Sequence, residues 1–377
     1  MKSVVVCLAC AVCLGSLAAQ TQGDFDDLSR RAQAAVDSNP AQAATLFKQA
    51  LDLQPTWPAG WFYLGGVLHR LARYAEAVDA FHRGLDLAPK NGVGWGFLGL
   101  SEFELGHYDK ALEAMAKAEQ FGLGPNTKFE TAVREKAAQL LIRSSLFDQA
   151  MSQLQPLAKY QENVPTVVEE VGLCALAIAS DADKLPEARR KIVDMAGAAM
   201  WAATSQRPKD ADAGFEKLLA AYPNEPGVHY AYGLYLMDID QKGALEQFRK
   251  ELATNGTHWP ALLVSAFLET REGNPAAALR YAEKARTLVP SNYIWLCNAE
   301  MGRALLAQDQ PEKAVPLLEE SVKLQPDNAQ AHFYLEQAYR RVGRKADAQR
   351  EKSEFVRLKS QQDPLALPPG LVNSTSR

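Results

Sequence analysis

The side chains that do chemistry most readily are few here, and they are scattered. The six histidines are His69, His82, His107, His229, His258 and His332. None pairs with another histidine or a cysteine at metal-ligand spacing, and H-E-x-x-H is absent, so no metal is expected. Cys7, Cys10 and Cys13 form C-x-x-C pairs, but inside an apolar N-terminal run. Beyond that run only Cys174 and Cys297 remain, too few for a disulfide framework. Adjacent carboxylates such as Glu169/Glu170 and Glu319/Glu320 diverge by about 100° on a helix rather than converging on a substrate. Gly94, Gly96 and Gly99 match G-x-G-x-x-G literally, yet no strand signal precedes them, as a dinucleotide site requires. No G-x-S-x-G, Walker loop or kinase signature occurs. The chain therefore reads as non-catalytic, with no cofactor.

The elements that must position these residues are helical. Of 377 residues, 47% are hydrophobic, ample for packing, and 41 basic residues nearly balance 45 acidic ones. That balance gives no general pull toward nucleic acid or an anionic membrane. Lys2, the apolar run Val4–Leu14 and the small residues Gly15, Ser16, Ala18 and Ala19 have the layout of a secretory signal peptide over residues 1–19. The run is shorter than the roughly 20 residues that span a bilayer. The expected location is exported, periplasmic or secreted. Asn255-Gly256-Thr257 and Asn373-Ser374-Thr375 are glycosylation acceptors only where a eukaryotic secretory pathway makes the protein.

Internal periodicity is the strongest signal. Trp61, Leu64, Gly65, Tyr74, Ala77 and Phe81 recur 34 residues later as Trp95, Leu98, Gly99, Tyr108, Ala111 and Met115. Trp61, Leu64, Gly65 and Leu68 step by three or four, which places them on one helix face. Ala77, Phe81 and Gly84 do the same on a second helix, and Pro89 stops it. The register continues through Ala43, Phe47, Ala50 and Pro55 before these blocks. After them it resumes in Ala211, Phe215, Leu218 and Pro223; Tyr232, Gly233, Leu236 and Phe248; and Gly273, Ala278, Ala282 and Pro290. Met301, Gly302, Ala314, Leu318 and Pro326, then Leu335, Tyr339, Gly343 and Ala348, complete eight units.

The pattern resembles the tetratricopeptide repeat, W-x2-L-G-x2-Y…A-x3-F…P, with Leu68 and Glu102 where that pattern has Tyr. The resemblance implies an all-α solenoid of helical hairpins, wound as a right-handed superhelix and broken in the middle. Expected divisions are residues 24–125 and 192–360 as repeat units, 126–191 as degenerate helix pairs, and 361–377 as a disordered tail. Because a repeat touches mainly its neighbours, Cys174 and Cys297 are expected as separate, mostly buried thiols.

In the family the first helices line a concave groove that receives a peptide or a partner's helix. Mapped onto this chain, the groove positions include Phe62, His69, Arg70, Phe103, Tyr230, Phe267, Arg271, Arg303, Phe333, Arg340 and Arg341. Aromatic and arginine residues are the types enriched at binding hot spots. The C-terminal arginines point to an acidic or C-terminal segment as the partner, since a guanidinium grips a carboxylate with two hydrogen bonds. The resulting reading is an exported scaffold or adaptor that binds protein or peptide partners. Two other readings stand beside it. One is an enzyme or enzyme subunit with a site grafted on the solenoid, where the irregular stretch 126–191 is the place for a pocket. The other is a self-assembling structural envelope protein, favoured if Phe355, Val356 and Leu358 face outward on the last helix.

Overall fold

The computed structural model describes residues 22–160 and 164–361. The expected signal peptide, and all of the expected tail beyond Gln361, lie outside the described residues. Among the described residues there are nineteen α-helices, three short 3-10 turns and no strand. No described helix is long and apolar enough to cross a membrane. Tertiary contacts divide the chain between Leu140 and Leu141, inside a helix of the irregular stretch rather than at 125 or 191.

The first unit contains α1 (22–35), α2 (Pro40–Leu53), α3 (Pro58–Arg70), α4 (Tyr74–Leu87), α5 (Gly92–Glu104), α6 (Tyr108–Phe121) and the start of α7 (Thr127–Arg143). Local chemistry sets the helix starts. Asn39 caps α2 by accepting from the Gln42 N–H, and Pro40 follows it at a position where no donor is needed. Asn91 caps α5 in the same way through the Gly94 N–H, at 2.7 Å. Between the two helices of a pair the chain passes through a left-handed residue, Ala72 at φ 57° and Gly106 at φ 75°, again 34 residues apart.

The repeated residues explain the repeated packing. Phe47 and Phe81 are fully buried. A Cβ on Gly65 would lie 2.7 Å from the Phe81 ring, and one on Gly99 would lie 2.7 Å from the Met115 side chain. Small residues on the first helix therefore admit large ones from the second. Trp61 and Trp95 each donate Nε1–H to a proline carbonyl six residues back, Pro55 and Pro89, both at 2.8 Å. A cation covers each indole, Arg83 at 4.9 Å and Lys117 at 4.3 Å. Glu102, where the repeat pattern has Tyr, is buried at 3% exposure and pairs with His107 Nδ1 at 2.6 Å.

The glycine run of α5 receives a packing explanation of the same kind. A Cβ on Gly94 would meet the Phe62 ring at 2.5 Å, and one on Gly96 the Phe129 ring at 2.7 Å. These glycines admit aromatic rings from neighbouring helices, and the segment is helical rather than a strand-to-helix turn.

The second unit continues with α8 (Phe147–Leu154), α9 (Pro165–Ala175), α10 (Glu187–Thr204), α11 (Pro208–Ala221), α12 (Val228–Leu236) and α13 (Gln241–Thr254). Then come α14 (Trp259–Arg271), α15 (Pro275–Arg286), α16 (Ile294–Ala307), α17 (Pro311–Leu324), α18 (Ala329–Arg341) and α19 (Lys345–Gln361). From α10 onward the helices alternate as expected, with Phe215, Phe248 and Leu318 fully buried. The stretch 126–191 begins with two helices joined through left-handed Ser145 at φ 60°. It holds α7, α8 and a single extra helix, α9, which packs against α10. Gly172 and Gly197 make that crossing very close. A Cβ on either would sit 2.1 Å from a backbone carbonyl of the other helix, Val193 or Val168.

A second departure lies in long-range contact. Phe147 stacks on Trp259 with ring centroids 6.3 Å apart, and Trp259 packs on Tyr293 at 4.7 Å. The Tyr293 hydroxyl donates to Asp148 Oδ1 at 2.7 Å, and the Ser145 carbonyl lies 3.3 Å from it. These partners are 145 residues apart in sequence, so contact within this unit reaches well beyond adjacent repeats. Cys174 and Cys297 are free, buried thiols. Burial pushes the Cys297 thiol up to about 12 and Cys174 also well up, so neither is a thiolate at neutral pH. On the last helix Leu358 is buried and Phe355 packs on Phe333 at 5.3 Å, leaving Val356 exposed. The apolar outward face that self-assembly would use is therefore reduced to one valine of the three residues expected.

Candidate protein-binding surfaces

The expected groove residues fall into three groups by what already holds them. The first group is occupied by packing. Phe62 is clamped between Gly84 and Gly94, where added Cβ atoms would lie 2.8 and 2.5 Å from its ring. Tyr230, expected on an open groove, is 6% exposed, with its ring 4.6 Å from that of His258. Arg303, expected as a free guanidinium, is 9% exposed. It donates to the Phe267 carbonyl at 2.7 Å, pairs with Glu300 at 2.7 Å and covers the Phe267 ring at 4.6 Å. Tyr230 and Arg303 are thus interior residues. Repeat position gives the direction a residue faces, whereas the bulk of neighbouring repeats decides its depth.

The second group is half-occupied. His69 Nδ1 is 2.9 Å from Ser101 Oγ, and burial pulls its pKa down. Phe103 packs beneath Lys136 and beside Tyr108. Phe267 is half-buried under Arg303 and Arg271. Arg341 is exposed but donates to the Leu306 carbonyl at 2.6 Å. The third group is open to a partner. Phe333 is 37% exposed, Arg271 lies over the Phe267 ring, and Arg340 is 3.9 Å from Glu336. Arg70, though exposed, belongs with the half-occupied group, because it donates to the Asp37 carboxylate at 3.0 Å and carbonyl at 3.2 Å. Within the second unit, the arginines free enough to meet an acidic segment are therefore Arg271 and Arg340, not the full set.

The irregular stretch carries the surface that repeat position did not reveal. Helix α10 is flanked by α9 on one side and α11 on the other, and a trough of about 540 Å³ opens above it. Its floor is Met195, Ala198, Ala199 and Ala202, spaced three or four residues apart along one stripe of α10. Val168 and Gly214 contribute from the two walls. The charged lining is Glu169, Asp194, Asp210, Arg207 and Lys217. Arg207 pairs with Asp210 at 3.2 Å. Burial raises the Glu169 pKa, with nearby Asp194 adding to the rise and Arg190 opposing it. The readable sign of this trough was the disturbed register itself, since an unpaired helix leaves part of its neighbour uncovered.

Titratable groups also converge below the surface. Glu251 is fully buried and accepts from the Gly227 N–H at 2.8 Å. His258 is 8% exposed, with Nε2 3.9 Å from Glu251 Oε1 and Nδ1 accepting from the Ala261 N–H at 3.2 Å. Burial pulls the His258 pKa down to about 4 and raises that of Glu251. Tyr230, Tyr293 and Asp148 adjoin this cluster. These groups sit in packed interior, and the trough lining includes none of them. Among the described residues no group of three or more His, Cys, Asp or Glu side chains is placed to hold a metal.

Paired helices, a small-against-large contact repeated along the chain and a left-handed turn inside most of the described pairs define a helical-repeat protein. The family's sequence profile, tetratricopeptide repeat, matches residues 30–92 and 300–351, so these two stretches carry tetratricopeptide repeats. Among solved structures the chain resembles MamA from Desulfovibrio magneticus RS-1, residues 41 to the end. That chain is 19% identical, with 46% of this chain and 97% of the other covered and a TM-score of 0.41. Yeast Tom70 is 13% identical over 90% of this chain and 77% of its own, with a TM-score of 0.37. The P58(IPK) TPR domain is 15% identical over 89% and 93%, with a TM-score of 0.30. No curated protein matches.

Proposed function

We propose that the protein is an exported scaffold that binds a segment of a partner protein and performs no chemistry of its own. The observation that carries this reading is the trough over α10, an apolar channel with charged edges, opened where the repeat alternation breaks. Its size falls within the range of sites that enclose most of a small ligand, or the anchor residues of a larger one. The export part rests on the residue pattern of positions 1–19. The preference for an acidic partner segment narrows to the neighbourhood of Arg271 and Arg340, as a second and smaller contact.

Ala198 is exposed on the trough floor, so Ala198→Trp fills the channel without touching the core. Affinity capture from native envelope extract, with mass-spectrometric identification, should recover a discrete partner with the wild-type chain. A198W should lose that partner while keeping the wild-type melting curve. R271E/R340E should weaken capture only partly. Equal recovery by A198W and wild type would end the reading of the trough as the seat. Fusion of residues 1–24 to a reporter enzyme active only outside the cytoplasm tests export separately; an inactive fusion would refute it.

A further inference from the structure

We propose that the trough over α10 takes a short amphipathic helix of the partner, with an apolar stripe against the floor and a lysine or arginine against Glu169 and Asp194. The proposal rests on reading the trough as the partner's seat. It concerns a surface other than the groove residues mapped from the family, none of which lies on α9, α10 or α11 or lines the trough.

Three observations select a helix over an extended strand. The floor and both walls are α-helical, so their backbone N–H and C=O groups are already bonded within each helix. An extended peptide would lay its own backbone polar groups on an apolar floor with nothing to pair them, at a cost of roughly 1–3 kcal/mol each. A helix arrives with those groups satisfied. Ala199 and Ala202 are buried, with Gly214 packed against Ala199, but Ala198 is exposed on the floor, and a small residue there lets an occupant's helix axis approach closely. From Met195 to Ala202 the floor runs seven residues, roughly 10 Å at the helical rise, which is about two turns of an occupant. This is the helix-in-groove mode of recognition, read as anchors at i, i+3, i+4 and i+7.

Charge decides which helix. Arg207 and Asp210 neutralise each other at the rim. Glu169, Asp194 and Lys217 remain, with one net negative charge among them. Arg190 and Asp183, which also act on Glu169, leave that balance unchanged. Glu169 is half-buried on α9 and faces the same space as Asp194 of α10. An acidic side chain seated there would add repulsion in a partly dehydrated site, whereas a basic one supplies the missing countercharge.

The probe is a fluorescein-labelled 16-residue Ala/Leu-rich peptide, held helical by a side-chain lactam, with two lysines at one edge of its stripe. Companion peptides carry glutamate for those lysines, or a central proline that breaks the helix. With the full chain, fluorescence anisotropy should show the lysine peptide binding about tenfold more tightly than the glutamate one. E169Q/D194N should cut that ratio to about threefold or less. A198W should abolish binding of both. Equal affinity for the two charges, undiminished binding of the proline peptide, or indifference to A198W each overturns the proposal. So does p-benzoylphenylalanine in place of Ala198 crosslinking to residues 362–377 or to a second copy of the chain. If A198W loses the native partner while the peptides bind without charge preference, the scaffold reading stands and this inference falls. If A198W keeps the native partner, the scaffold reading of the trough falls first.

Discussion

Gly197→Ala is the sharpest test of how the trough is built. The added Cβ would lie 2.1 Å from the Val168 carbonyl oxygen and 3.1 Å from the Gly172 nitrogen. Ordinary contact begins near 3.4 Å, so α9 and α10 must part by more than 1 Å. The obstructing atoms are backbone, and no rotamer change can relieve them. Overpacking of this kind costs about 1–3 kcal/mol, and rigid backbone puts this site at the upper end. The helix-propensity gain of alanine over glycine, about 0.8–1 kcal/mol, offsets part of it. A net loss of about 2 kcal/mol in a unit of this size lowers the melting temperature by roughly 4–8 °C. Gly66→Ala in α3 is the matched control, because its Cβ would have nothing within 4 Å. It should gain up to about 1 kcal/mol from propensity alone. Differential scanning calorimetry of the two variants, with amide exchange in α9 and α10, reads the contrast. If Gly197→Ala melts at or above wild type, as the control should, the close crossing of α9 and α10 is wrong.

Other expectations follow from the same contacts. Tyr293→Phe removes the hydrogen bond to Asp148 and should cost about 1.5–3 kcal/mol in urea denaturation, as for bonds to charged groups; an unchanged midpoint would contradict the docking of α8. His258 has its folded pKa lowered to about 4, so between that value and 6.5 the unfolded chain holds more protons and stability falls as pH falls. The part of the pH 7 to pH 5 loss that disappears in His258→Asn should be about 2 kcal/mol. Glu251, raised in the folded state, works in the opposite direction, so the difference between the two proteins is the quantity to compare. Ala72→Gly relieves a left-handed alanine at φ 57° and should stabilise by about 0.5–1 kcal/mol, measured as a rise in the urea midpoint.

Local residues announced the pairs well and the departures poorly. Trp61, Gly65, Phe81 and their counterparts 34 residues on are legible because each contact joins helices close in sequence, and each needs a fixed size at a fixed step. The α9 irregularity was legible only as a weakened register. Nothing in Pro165–Ala175 states that it lacks a partner of its own, because helical periodicity is the same in a paired and an unpaired helix. The docking of Asp148 on Tyr293 has no local signature at all, since neither side chain is unusual for its own helix end. Tyr230 and Arg303 show a third limit. Their repeat positions face inward to the groove, but Phe248 and His258 pack against Tyr230, and Glu300 and the Phe267 carbonyl hold Arg303. Glu102 shows the reverse case, in which a departure from the repeat pattern is matched by a local partner, His107, five residues on.

The clasp between α8 and the residues just before α16 also imposes an order of events on synthesis. Phe147 and Asp148 leave the ribosome long before Tyr293 exists to receive them. At about 5–20 residues per second, the wait is roughly 7–30 s. Through that interval an apolar ring and a carboxylate of α8 have no final docking place. A nascent-chain helper, or transient burial elsewhere, would find its use in that window.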